Sequence, residues 1–309
     1  MAAPGHSRAW PQHADAGLAV NPVIMTLILG TATPGGGFPV YGAAYAEMLN
    51  AQEPQLRIET RNTKGSTENV PLLEAGKLDL GLVAGELASA ALAKPGTQLR
   101  IVAAMYSSPG MFIVRGDSPV RRIADLKGQP VVLGTPGSGI TVLGRIVLQS
   151  LEISVKEILL EKVADGPPML QDGRAAAHWG AGVGWPAFTA IAKAGGRFVG
   201  PEADEVKRIL ASQPSLQAVT LPARSYPGQD APLDSVGSWS FVFARPGLPD
   251  EQGYLLARAL HRAEGPLAAR LEQARESTAV NIVAAAPRAE LIHPGVRKYL
   301  REVGLLPPQ

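Results

Sequence analysis

Residues 134–141 read GTPGSGIT, which has the glycine spacing of a phosphate-binding loop but carries Ile140 where that loop needs lysine. Without a lysine to reach terminal phosphates, and with no apolar strand ending in Asp to hold magnesium, triphosphate chemistry is excluded. The remaining chemistry is simpler. A helix start offers unpaired backbone N–H groups and the positive end of a dipole, glycine lets a ligand approach that backbone, and hydroxyls add directional bonds.

Two more stretches follow the same plan: TATPGGGFP at 31–39 and RNTKGSTEN at 61–69. Any one of the three is first of all a helix N-cap. Together, each after an apolar strand, they point to a shared ligand site at the carboxyl edges of parallel strands. Other chemistry finds no support. The chain has no cysteine, so disulfides, thiolate metal sites and a cysteine nucleophile are excluded. His6, His13, His178, His261 and His293 show no metal-ligand spacing, and no G-x-S-x-G elbow occurs. No catalytic residue, metal or cofactor is assigned, and a binding protein is expected rather than an enzyme. His178, beside Trp179, is the one histidine near the expected site.

The elements that hold these loops alternate. TLILG, LRIET and QPVVLG read as strands, each followed by one of the loops and then a helical stretch, so the fold class is α/β with parallel strands. LDLGLVAG, LRIVAAM and MFIVR are further strands, and SWSFVFA near the other end matches MFIVR in length and character. Two strand crossings of this kind frame an inserted lobe. The first lobe is placed at 21–113 plus 237–309 and the second at 114–236, with 1–20 as a loose leader. The last sixty or so residues read as helical scaffold without site residues; Pro249, Asp250 and Glu251 suit the start of its long helix.

The totals agree with a globular chain of one large domain or two ordinary ones. Its 309 residues are 46% hydrophobic and 18% charged, with only 5% aromatic, which suits closely packed α/β layers. A net charge of +2, from 29 basic and 27 acidic side chains without a basic run, leaves no basis for a nucleic-acid groove. No stretch approaches the roughly 18 apolar residues of a membrane span. VIMTLILG at 23–30 is too short for an export signal and reads as a buried strand.

Four stretches, in order, resemble the TAXI group of solute-binding receptors of tripartite ATP-independent periplasmic (TRAP) transporters. They are TKGSTENVPLLEAGKLDLGLV (63–83), SPVRRIADLKGQPVVLGTPGSGITVLGRIVL (118–148), PARSYPGQDAPLDSVGSWSFVFARPGLPDEQGY (222–254) and HPGVRKYLREVG (293–304). The resemblance covers about residues 24–304. It implies a two-lobe periplasmic-binding-protein-like fold of type II, a hinge, and a small solute trapped in the cleft by a monomer. It further implies a periplasmic location and handover to a TRAP permease.

Carried over position by position, the resemblance implies a site of Thr33, Gly36, Gly37, Phe38, Ser66, Thr67, Asn69, Glu86, Ser138, Gly139, Thr141, Trp179 and Trp185. The family's T-G-G-x-Y-Y-P loop is TPGGGFP here, so Gly37 and Phe38 replace two tyrosines, and Ile140 replaces a threonine after Ser-Gly. The expected solute is therefore a small carboxylate or amino-acid-like molecule, held largely by backbone N–H groups and one apolar face. Lys64, Arg145 and Arg224 lie close enough in sequence to supply positive charge. Two other readings use the same fold: a receptor of an ABC importer for a sulfonate or pyrimidine precursor, and a cytoplasmic sensor or enzyme.

Overall fold

Short apolar runs closed by glycine or a small residue become the strands, and the glycine–hydroxyl loops turn each one into a helix. A computed structural model describes residues 24–308; the leader, with His6 and His13, lies outside them. The chain begins with β1 (Met25–Gly30), α1 (Gly37–Gln52), β2 (Leu56–Arg61), α2 (Ser66–Glu74), β3 (Leu80–Val83), α3 (Gly85–Ala93) and β4 (Arg100–Ser107). It crosses to β5 (Gly110–Val114), β6 (Pro130–Gly134), α4 (Gly139–Ser150), β7 (Lys156–Leu159) and α5 (Gly166–Gln171). The same half continues through β8 (Ala177–Ala181), α6 (Pro186–Lys193), β9 (Arg197–Val199), α7 (Ala203–Ser212), β10 (Gln217–Leu221) and β11 (Leu233–Gly237). The return runs through β12 (Trp239–Ala244) to α8 (Asp250–Arg270), α9 (Ala279–Ala285) and α10 (Pro294–Glu302).

The first sheet has the order β2-β1-β3-β12-β4 and the second β7-β6-β8-β5-β9, with β10-β11 as a separate ribbon. In each sheet the parallel strands accept one antiparallel strand from the crossing segments: β12 between β3 and β4, and β5 between β8 and β9. Strand β5 belongs wholly to the second sheet, so the outward crossing falls at Ser108 and Pro109. That corrects the sequence boundary at residue 113. The physical reason is that MFIVR is buried at every position from Met111 to Val114, and the gap beside β8 buries both of its faces.

Side-chain alternation decides which core each residue joins. Phe112 and Val114 pack with Trp179 and Val147 on one face of the second sheet, while Met111 and Ile113 pack with Trp185 and Phe188 on the other. The first sheet has its own core, where Tyr41, Tyr45 and Leu49 of α1 meet Leu256, Leu260 and Ala263 of α8. Glu53, just past α1, is nearly buried and is held by Arg258 of α8, whose Nε lies 2.9 Å from Oε2. None of the described helices is long and apolar enough to cross a membrane.

Asn69 is the tie beneath the first sheet's carboxyl edge. Its side-chain nitrogen donates to the carbonyls of Thr31 and Leu82, each at 2.8 Å, and of Gly30 at 3.3 Å. One amide thus joins α2 to the ends of β1 and β3. Asn69→Ala leaves those buried carbonyls short of a donor, and the expected loss of stability is about 2–3 kcal/mol. It should appear as a lower denaturant midpoint at unchanged slope; an unchanged midpoint would remove Asn69 from this role.

Candidate functional site

Strands β1, β3, β6 and β8 end on the side where the two lobes face each other, and the helix that follows each one starts at a shared cavity of about 70 Å³. Gly36 and Gly37 bring the start of α1 to it, Gly65 and Ser66 that of α2, Ala84 that of α3, Ser138 and Gly139 that of α4, and Trp185 that of α6. Gly36, Gly65, Ala84 and Trp185 give their helices no side-chain cap. Five positive dipole ends, from both lobes, therefore converge on one enclosed space. Gly134 makes the turn from β6 possible: its φ of 119° is open to glycine, and a Cβ there would press on Thr141 Oγ1.

The lining divides by chemistry. Leu143, Leu160, Val163 and Ile140 from the second lobe make an apolar wall that Trp185 extends. Opposite stand Ser66, Glu86, Tyr106, Ser108, Ser238 and Gln273. Ser66 Oγ accepts the backbone N–H of Ala84 at 3.0 Å, which leaves its own proton free to donate. Among the described residues, no Lys or Arg lines the cavity.

Besides the Tyr106 phenol, a buried carboxyl and a buried imidazole face it. Glu86 accepts a hydrogen bond from Ser238 Oγ at 2.5 Å, and burial raises its pKa above the usual carboxylate value despite that bond. His178 Nδ1 lies 2.9 Å from the Trp179 carbonyl, so Nδ1 carries the proton and Nε2 the lone pair. Nε2 has no partner among the described residues, and burial holds the ring neutral with a pKa pushed down to about 4. Tyr226, in the Tyr-Pro-Gly-Gln segment, supports this wall: its hydroxyl accepts the Trp185 N–H at 3.0 Å and donates to the Gly182 carbonyl at 2.9 Å.

Of the sequence candidates, Thr33, Gly36, Gly37, Phe38, Ser66, Glu86, Ser138, Gly139 and Trp185 line the cavity. Asn69, Thr67, Thr141 and Trp179 do not. Asn69 is spent on strand ends, as above. Thr141 Oγ1 donates to the carbonyls of Thr135 at 2.9 Å and Leu133 at 3.1 Å, so it fastens α4 to β6. Trp179 faces the opposite side of β8 from His178, packs on Phe112 with ring centroids 4.7 Å apart, and donates Nε1–H to the Ile140 carbonyl. Lys64, Arg145 and Arg224 stay outside the lining, and Arg145 is paired with Glu157 on the surface.

The sequence reading passed over Tyr106, Ser108, Ser238, Ser240 and Gln273. The serines sit at the crossings, where a polar residue inside an apolar strand run was the available signal. Gln273 comes from the region read as plain scaffold, and it reaches the cavity because the chain turns at Leu271 into a short 3-10 helix against β4.

Thr67 instead holds the lobes together. Its backbone N–H and Oγ1 both reach the Gly137 carbonyl, at 3.3 and 2.8 Å. Thr33 and Thr135 hydroxyls meet across the cleft at 3.5 Å. Gly139 is the closest approach: a Cβ there would lie 2.2 Å from the Ala84 Cβ of the other lobe. Gly139→Ala should leave the separate lobes intact, since alanine suits a helix start, but oppose closure by about 1–3 kcal/mol, roughly 5- to 150-fold in solute affinity. Small-angle scattering should then show the variant expanded relative to the parent at equal thermal stability. A variant as compact as the parent would refute this account of closure.

A model of the NMT1-like family matches residues 29–304. Solved structures share the architecture at low identity. The periplasmic aliphatic sulphonate binding protein SsuA from Escherichia coli is 20% identical with a TM-score of 0.52, over 92% of this chain and 84% of that one. The periplasmic binding protein BugD is 14% identical with a TM-score of 0.57, over 91% and 98%. The effector binding domain of QuiR, solved in complex with shikimate, is 10% identical with a TM-score of 0.52, over 78% and 98%. Such identities carry the fold alone, and that fold is the two-lobe α/β arrangement of type II expected from the sequence. Over nearly its whole length, the chain belongs to the NMT1-like family.

Proposed function

We propose that this chain is a periplasmic solute-binding receptor, not an enzyme, which captures a small anionic or zwitterionic solute with a carboxylate or sulfonate head between its lobes. The observation that carries the reading is the convergence of five helix starts from both lobes on one enclosed cavity. Each helix start favours an anion by about 0.3–1 kcal/mol, more when partly buried, and several act on the same space here. The acidic head lies among the N–H groups, and a short apolar remainder lies against Leu143, Leu160 and Trp185. Contacts from both lobes give the closed form a higher affinity than the open one, which is the condition for a ligand to shift that equilibrium.

The four motifs of the sequence resemblance support handover to a TRAP permease as the first reading of its partner. A second reading, a receptor of an ABC importer for an aliphatic sulfonate, is favoured by the same site, because a sulfonate offers its oxygens to helix N-termini as a carboxylate does and the cavity has an apolar wall. The E. coli protein of the same fold binds such a compound by its name. Solute uptake that survives ATP depletion supports the TRAP partner, and uptake that stops with it supports the importer.

A thermal-shift panel of small carboxylates, sulfonates, neutral amides and amines tests the site itself. A solute at 100 times its Kd adds about 2.7 kcal/mol of stability, a rise of roughly 4–5 °C for a chain of this size. Carboxylates or sulfonates should give this rise and neutral amides should not. A response confined to neutral or cationic compounds would sink the proposal.

A further inference from the structure

The proposed function leaves open what a buried carboxyl does in a cavity built for anions. Glu86 stands in the first turn of α3, is 8% exposed, and forms part of the lining. Its one side-chain partner among the described residues is the hydroxyl of Ser238 at the hinge crossing. An ionised Glu86 would be a fixed negative charge aimed at the solute and would call for an ammonium group beside it. A neutral Glu86 would be a hydrogen-bond donor, and would call for an oxygen.

The surroundings decide between these. From α2 the lining presents Ser66, from α4 Gly139, Ile140 and Leu143, from β12 Ser240, and from the crossings Ser108 and Ser238; none of these carries a charge. Charged groups on the same elements are engaged elsewhere. Glu68 of α2 accepts the Lys64 N–H at the surface, Arg145 of α4 pairs with Glu157, and Glu276 behind β4 accepts the N–H and hydroxyl of Ser107. Tyr106 stays protonated, its pKa raised by burial, and His178 stays neutral. Among the described residues no Lys or Arg lines the cavity to hold a carboxylate there, and burial outweighs the hydrogen bonds from Ser238 and the backbone, pushing the Glu86 carboxyl toward its neutral form.

We infer that Glu86 serves the site as a neutral carboxylic acid that donates a hydrogen bond to an oxygen of the solute, so that the cavity selects small anions lacking an ammonium group and binds a proton together with them. This rests on the anion-receiving function proposed above. The linkage has a definite sign. An anion in the cavity raises the Glu86 pKa further, so affinity is full below the free-state pKa. It then falls as pH rises through the window between the free and bound values, about tenfold per pH unit for one coupled proton. That window lies above the ordinary carboxylate range, because burial has already raised the free-state value.

Two matched pairs of probes separate the alternatives: propionate against β-alanine, and ethanesulfonate against taurine. Each pair differs by one ammonium group. Titration calorimetry of the wild-type protein, at a pH inside that window and in two buffers of different ionisation enthalpy, should show at least tenfold preference for the member without the ammonium group, with net proton uptake. In Glu86→Gln, checked for an unchanged melting temperature, the amide still donates, so the same anions should bind with affinity independent of pH. Preference for β-alanine or taurine, or binding without proton uptake in the wild type, overturns the role of Glu86 while leaving the receptor function standing. So does a pH dependence that persists in Glu86→Gln and disappears in His178→Asn. Failure of all four probes to bind folded protein overturns the anion-receiving function itself, and this inference with it.

Discussion

The rest of the structure depends on backbone N–H groups left uncapped at helix starts and turned toward one another. Buried backbone donors need partners. Four of the five helix starts at the cavity have no side-chain cap, because glycine, alanine or tryptophan occupies the position where Ser, Asp or Asn would bond the first turn. The Thr67 and Glu68 N–H groups are taken by the Gly137 and Gly65 carbonyls, and Pro39 and Pro186 carry none; the donors that remain are open to a solute because the helices' own side chains do not take them. The parallel strands exist, in this sense, to aim helix starts: each ends one short loop before the dipole it directs.

Two lobes are needed because one cannot enclose such a site. The return strand β12 enters the first sheet between β3 and β4, so that sheet is completed only after the chain has passed through the second lobe, whose own sheet is built from the unbroken run β5 to β9. The crossings lie side by side, with Ser108 N–H donating to the Ser238 carbonyl at 3.2 Å. A Cβ on Gly237 would collide with the Ser108 carbonyl. This pair of strands is therefore a close-set joint between otherwise separate cores. The residues beside it, Ser108 and Ser238, are also cavity residues, so the joint and the site share atoms.

The legible parts of this molecule were those with a local physical signature. Apolar runs before glycine–hydroxyl loops gave the parallel strands and three of the helix starts at the cavity, whereas MFIVR, read as a crossing, lies wholly in the second sheet and the outward crossing precedes it at Ser108 and Pro109. What could not be read was which face or which sheet a residue chooses. Trp179 and His178 are adjacent, and only strand alternation in three dimensions sends the indole to the core and the imidazole to the cavity. Asn69 and Thr141 have the right types for solute contacts, yet the nearest unpaired groups are strand-end carbonyls, and they bond those first. Gln273 was invisible for a different reason: it reaches the cavity from a chain segment more than a hundred residues from the nearest glycine loop.

The absence of Lys and Arg from the lining among the described residues bears on how such a receptor would let go. A side-chain cation stays beside its anion as the lobes part, and water weakens that attraction only gradually. Helix starts act over the length of a single turn, and here two of the five, α4 and α6, belong to the lobe that moves away from the other three. Opening would therefore remove part of the field at once and admit water to screen the rest, since the same charges interact far more weakly at high dielectric than in an enclosed site. On the proposed function, affinity is then a property of the closed shape more than of either lobe. The Thr67–Gly137 contact and the bare backbone at Gly139 matter to binding for that reason, although Thr67 and Gly137 lie outside the cavity lining.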